Sequence, residues 1–134
     1  MWKVVSANLN IRNATGQEVQ SRCDQPSRSQ VTELFERLTS SDGGDLRVSG
    51  QPGGRDVMVA GGPSCFLVSC IGDAYGAYNL VDLSRKDRKD WLTLVVGGIP
   101  SAVEVKATVD GELAKQAILY FCDHGEIAPD LHWD

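Results

Sequence analysis

The residues with the most chemical capacity are two histidines, four cysteines and a set of carboxylates crowded toward the C-terminus. His124-Gly125-Glu126 has the H-x-E spacing with which zinc-dependent deaminases set a metal-holding imidazole beside a proton-moving carboxylate. That chemistry also needs a downstream P-C-x-x-C, and the eight residues after Glu126 include no cysteine. Cys65 and Cys70 stand five apart, which in a strand turns them to opposite faces. Cys23 and Cys122 are far away in sequence, so a four-ligand metal site is not expected. Cys65, Cys70 and Cys122 sit in apolar surroundings and read as free buried thiols, small hydrophobes rather than ligands. No G-x-x-x-x-G-K-[ST], G-x-G-x-x-G or G-x-S-x-G occurs, so the phosphate cradles and the nucleophile elbow are missing. Gly97-Gly98 leads into Ile99-Pro100 rather than into a helix N-terminus. No cofactor and no metal are expected. An enzyme would have to assemble its site from distant residues around His124 or His132, and that is the rival to a binding function.

Charge points to binding. The net charge is −5 over 134 residues, and it is unevenly spread. Residues 1–98 carry 11 acidic and 11 basic side chains, whereas residues 99–134 carry seven acids against Lys106 and Lys115. A nucleic-acid binder needs a basic footprint, so direct nucleic-acid contact is not expected. An acidic last third suits a basic protein partner. The tip Gly72-Asp73-Ala74-Tyr75-Gly76-Ala77-Tyr78 adds an Asp and two tyrosines near a turn, residue types common in recognition surfaces. No apolar run approaches the roughly 18 residues of a membrane span, and the first residues lack the pattern of a leader peptide. A cytoplasmic protein without membrane contact is therefore expected.

The elements that must position these groups are readable from periodicity. Residues 4–12 alternate, with Val5, Ala7, Leu9 and Ile11 assigned to the inner face of a strand. Residues 13–26 are polar and read as a loop. Ser27 and Gln30 have the spacing of a capping box, and Val31, Leu34, Phe35 and Leu38 form one apolar helical stripe ending near Ser40. Strands are expected at 45–49, 55–60, 64–71, 76–83 and 91–97, joined by glycine-bearing turns. The nearly continuous apolar run Ser64–Ile71 reads as a central strand buried on both faces. The charged segment Arg85–Asp90 reads as a solvated loop. A second helix is expected from about Val109 to His124, capped by Thr108 or Asp110 at its start and by a left-handed Gly125 at its end. Its buried stripe is Leu113, Ala117, Ile118 and Phe121. Leu131–Trp133 reads as a last short strand.

The order of features in the second half resembles a known family. A strand over Cys65–Ser69, a strand ending in Gly97-Gly98, the extended Val103-Glu104-Val105, a helix with Glu112-Leu113-Ala114, Ala117 and Tyr120-Phe121 closing on His124-Gly125, and then Pro129 and Trp133 are similar to the end of the first-numbered immunity-protein family of bacterial polymorphic toxin systems. The resemblance spans roughly residues 60–134. It implies a cytoplasmic antitoxin that binds a cognate toxin, often a deaminase-like one, and blocks its active site. Gly97, Gly98 and Trp133 would be structural. The sequence thus leads to a single α+β domain over 1–134, with two helices on an antiparallel sheet of about five or six strands. The expected partner is a protein toxin, with Asp73, Tyr75, Asp123, Glu126 and Asp130 as candidate contacts. A non-catalytic subunit of an oligomer is the remaining alternative.

Overall fold

A computed structural model of the chain describes residues 4–13, 15–51, 54–72 and 76–134. Two helices pack on an antiparallel sheet, as the α+β expectation requires, but the sheet has seven strands and a separate two-stranded hairpin accompanies it. The elements run β1 (Ser6–Arg12), β2 (Glu18–Asp24), α1 (Arg28–Thr39), β3 (Gly44–Ser49), β4 (Asp56–Gly61), β5 (Phe66–Gly72), β6 (Gly76–Val81), β7 (Trp91–Val96), β8 (Ile99–Glu104), α2 (Gly111–His124) and β9 (His132–Trp133). The large sheet has the order β2-β1-β3-β4-β5-β6-β9, and β7 pairs with β8 alone.

The register explains which face is core. Leu9, Leu46, Val59 and Val68 stand opposite one another across four strands, and all are buried. Ala7, Val48, Val57 and Cys70 make a second buried row. Both rows join one cluster with Val31, Leu34, Phe35 and Leu38 of α1 and Ala114, Ala117, Ile118 and Phe121 of α2. The opposite face carries Arg22, Asn8, Arg47, Met58, Ser69 and Asn79 in a single cross-strand row. One face is apolar and the other mixed, the usual division for an antiparallel sheet.

Four expectations need correction. The supposed loop at 13–26 contains β2, which pairs along its length with β1. Only Val19 and Cys23 are apolar there, because an edge strand has little core to face, so periodicity gave too weak a signal. In β1 the buried residue beside Ala7 and Leu9 is Val4, whereas Val5 is exposed, because the chain leaves regular strand before Ser6. The run Phe66–Gly72 alternates between buried and half-buried residues, so β5 has one core face rather than two. Residues 86–90 are exposed as expected, but Arg85 ends a short 3₁₀ turn begun at Leu83 and its side chain is only 20% exposed. Its Nη1 donates to Thr108 Oγ1 at 2.8 Å and lies 3.6 Å from Cys65 Sγ, with Asp82 ion-paired at 3.5 Å.

The helix ends follow the local chemistry. Ser27 accepts from the Gln30 amide while the Gln30 side chain accepts from the Ser27 amide, so the capping box of α1 is complete. Asp110, rather than Thr108, caps α2 by accepting from Leu113 N at 2.9 Å. The hairpin β7–β8 closes through Gly97 and Gly98, both with positive φ (59° and 79°), the two-residue turn whose twist suits paired strands. Arg12 Nη2 donates to Gly98 O at 3.0 Å and fastens the hairpin tip to the end of β1.

Candidate partner-binding surface

The C-terminal acids are positioned by α2 and by one tryptophan. Burial of Ala114, Ala117, Ile118, Phe121 and Cys122 turns one side of the helix inward and leaves Asp123 and His124 outside. Gly125 takes the left-handed conformation (φ 71°) and donates to Phe121 O at 2.7 Å, ending the helix. The chain then crosses to β9 through buried Ala128, with Glu126 and Asp130 exposed on either side of it. Trp133 Nε1 donates to Ala128 O at 3.0 Å and ties this crossing to β9. β9 itself is held to β6 by the reciprocal amide–carbonyl bonds of Asn79 and Asp134, both 2.9 Å.

The five candidate contacts fare differently. Asp73 and Tyr75 lie outside the described residues. Asp123 forms an ion pair with Arg28 at 2.9 Å, linking the end of α2 to the start of α1, so its charge is partly compensated. Glu126 and Asp130 take part in no ion pair among the described residues. Burial pushes the Cys70 thiol up, the neighbouring Arg55 guanidinium opposes this, and the Asp56 and Glu126 carboxylates add to it. Tyr78, 37% exposed, lies on β6 and carries the Arg55 guanidinium 5.9 Å from its ring centre. Arg55 and Tyr78 thus meet beside Cys70 at the β5–β6 pairing, while Asp123 is engaged with α1 and Glu126 and Asp130 flank the crossing to β9.

Both histidines are exposed. The His124 ring stacks on Tyr120 with centroids 4.1 Å apart, and its Nδ1 lies 3.2 Å from the Tyr120 carbonyl oxygen. All four cysteines are free thiols, with Cys70 and Cys122 buried and Cys23 and Cys65 half-buried. Burial pushes the Cys122 thiol up to about 12, with Asp123 adding to the rise and Arg28 opposing it. Among the described residues no three His, Cys, Asp or Glu side chains converge as a metal site would require. No helix among them is long and apolar enough to cross a membrane.

Two features escaped the sequence reading. A polar cleft of about 250 Å³ lies between the ends of β1, β2 and β3 and the tip of β7–β8, lined by Asn10, Arg12, Glu18, Asp45 and Gly98 among others. It depends on β2 and β8, one unrecognised and one seen only in part. The hairpin also exposes Trp91 (61%) and Ile99 (66%), at opposite ends of its two strands. The alternation in Trp91-Leu92-Thr93-Leu94 was the available signal: Leu94 is the buried partner in that pattern, and Trp91 therefore faces out.

An α+β domain with an antiparallel seven-stranded sheet is the class these observations define. No family model matches the chain, and no curated protein matches it. Among solved structures it is similar to a hypothetical protein from Neisseria gonorrhoeae, with a TM-score of 0.61 and 9% sequence identity over 95% of this chain and 92% of the other. At that identity the likeness speaks for the fold alone.

Proposed function

We propose that the chain is a cytoplasmic immunity protein that binds a cognate polymorphic toxin and occludes its active site, a nucleic-acid deaminase being the leading candidate for the toxin. The observation that carries this reading is the segment after Lys115. It contains no lysine or arginine, and it displays Glu126 and Asp130 without compensating ion pairs among the described residues. Enzymes that act on nucleic acid carry basic clefts to meet phosphate. An acidic surface competes for such a cleft, and its field speeds encounter with the partner. The order of strand, glycine pair, capped helix, Pro129 and Trp133 supports the same reading through the family resemblance.

The test is to express the product of the neighbouring upstream gene with and without this protein. Co-purification together with rescue of growth is the expected outcome. Absence of both would sink the proposal.

A further inference from the structure

β2 is an open edge seven residues long, with no proline or glycine in it. The direction of its backbone groups follows from its neighbour. Arg12 N donates to Gly43 O, and Arg12 O accepts from Asp42 N, so Arg12 turns toward β3. Backbone groups alternate in direction along a strand. Ile11, Leu9 and Ala7 therefore turn toward β2 and bond to Val19, Ser21 and Cys23, the residues they face. This leaves the amides and carbonyls of Glu18, Gln20, Arg22 and Asp24 pointing away from the sheet. The side chains of these same four residues lie on the face opposite the helices, and all are exposed.

Such an edge is a template for another strand, and charges normally guard it. Among the two-fold antiparallel registers that overlap five or more residues of β2, the order of charges opposes two and permits one. We propose that a second copy of this chain pairs antiparallel along β2, with Gln20 on the two-fold axis. Outward-facing residues of the two copies must then stand opposite each other. With Gln20 on the axis, Glu18 of each copy faces Arg22 of the other, so two opposite-charge cross-strand pairs form on one face. With Ser21 on the axis, Glu18 would face Asp24 twice; with Arg22 on the axis, two guanidinium groups would meet. Both alternatives place like charges together. The Arg22–Asp24 contact within one strand, at 2.9 Å with both side chains largely exposed, is weak enough to give way. On the other face, Val19 of each copy covers Ser21 of the other, extending the shielding of a half-buried residue. β2 is the far edge from β9, so the pairing leaves the C-terminal acids of both copies free.

The test is the mass of the full chain by light scattering as concentration rises. A single strand pair buries less area than a standard interface. A shift from 14.5 kDa toward twice that mass is thus expected across roughly the micromolar to millimolar range. Arg22→Glu and Glu18→Arg should each weaken the dimer about tenfold or more, and the double exchange should restore it. Gln20→Pro removes only an outward amide, so it should keep the circular dichroism of the native chain and lose the dimer. Amide exchange should slow with concentration at Gln20 and Arg22 but not at Ser21, whose amide is already bonded to Leu9. Monomer mass throughout the range overturns the proposal. So does a dimer indifferent to the single charge changes, or one that the double exchange fails to restore.

Discussion

The two edges of the seven-stranded sheet handle charge in opposite ways. At β2 the acids and the base belong to one strand, Glu18, Arg22 and Asp24, and the strand carries its own opposite charges. At the β6–β9 edge the flanking segment carries Glu126, Asp130 and Asp134 with no lysine or arginine, and Glu126 and Asp130 form no ion pair among the described residues. A balanced edge has little field at a distance, so it can select only by contact, residue against residue. A segment of one sign acts over about a Debye length, roughly 8 Å at physiological salt, and suits recruitment of an oppositely charged partner. The edges also differ mechanically. β2 is long and held mainly by its ladder to β1, with Cys23 packed against the core, whereas β9 pairs with β6 over only two residues and adds the Trp133 side chain.

That mechanical difference yields the largest expected effect. Trp133→Ala removes a half-buried ring that packs against the core and one of the two donors to the Ala128 carbonyl, leaving Leu131 N at 3.2 Å. The combined cost should be about 3 kcal/mol in urea unfolding. At the other edge, Val19→Ala trims a half-buried side chain with little core beside it, and should cost about 1 kcal/mol or less. Equal losses at the two positions would erase the distinction between a ladder-held and a side-chain-held edge.

The thiols sharpen the comparison through pH. Cys122 lies under the end of α2, and burial lifts it from 9.0 to about 12. The unfolded chain therefore releases this proton first. The stabilising contribution is complete below about pH 9 and is lost as pH rises toward 12. Thermal unfolding of the native chain should fall more steeply between pH 9 and 11 than that of Cys122→Ala, measured relative to each protein's value at pH 7. At neutral pH a thiol reagent should modify Cys23, half-buried on β2, well before Cys122. Modification of Cys122 first would contradict its burial.

The same contrast marks what was legible in the sequence. α1 and α2 were readable almost to the residue, because Ser27, Gln30, Asp110 and Gly125 are end signals with local mechanisms and the apolar stripes between them are long. β3 to β7 were readable because glycines punctuate them. β2 was not, since an edge strand exposes alternate polar residues and buries little on the other side, leaving only Val19 and Cys23 as clues. Arg85 was misread because its partner Thr108 lies 23 residues away, a convergence no local pattern encodes. Of the candidate surface, the acidity of residues 116–134 was plain in the sequence. The Asp123–Arg28 pair was hidden, because it joins residues 95 apart.

A smaller effect tests the start of α1, beside the Arg28–Asp123 pair. Ser27→Ala removes the side-chain acceptor for the Gln30 amide and half of the capping box. The expected loss is about 1 kcal/mol. Because the helix then frays where Arg28 meets Asp123, the same variant should raise amide exchange at the first turn of α1 with little change in β2.

The smallest effect on stability should accompany the largest contrast in binding. Glu126 and Asp130 are exposed and unpaired among the described residues, so Glu126→Lys and Asp130→Lys should each change unfolding free energy by no more than about 0.5 kcal/mol. If the acidic edge recruits a basic toxin site, the double variant should associate about tenfold more slowly at low salt, and the difference should shrink as salt is raised. Arg22→Glu at the other edge, equally harmless to the monomer, should leave the association rate with the toxin within about twofold of the native value. The pair of measurements separates local placement from total charge. The double variant removes two acids and adds two bases, while Arg22→Glu changes the net charge in the opposite direction. If rate followed net charge alone, Arg22→Glu would accelerate association by a corresponding margin. An unchanged rate for Arg22→Glu beside a salt-sensitive loss for Glu126→Lys with Asp130→Lys would place the recruiting field at the β9 edge.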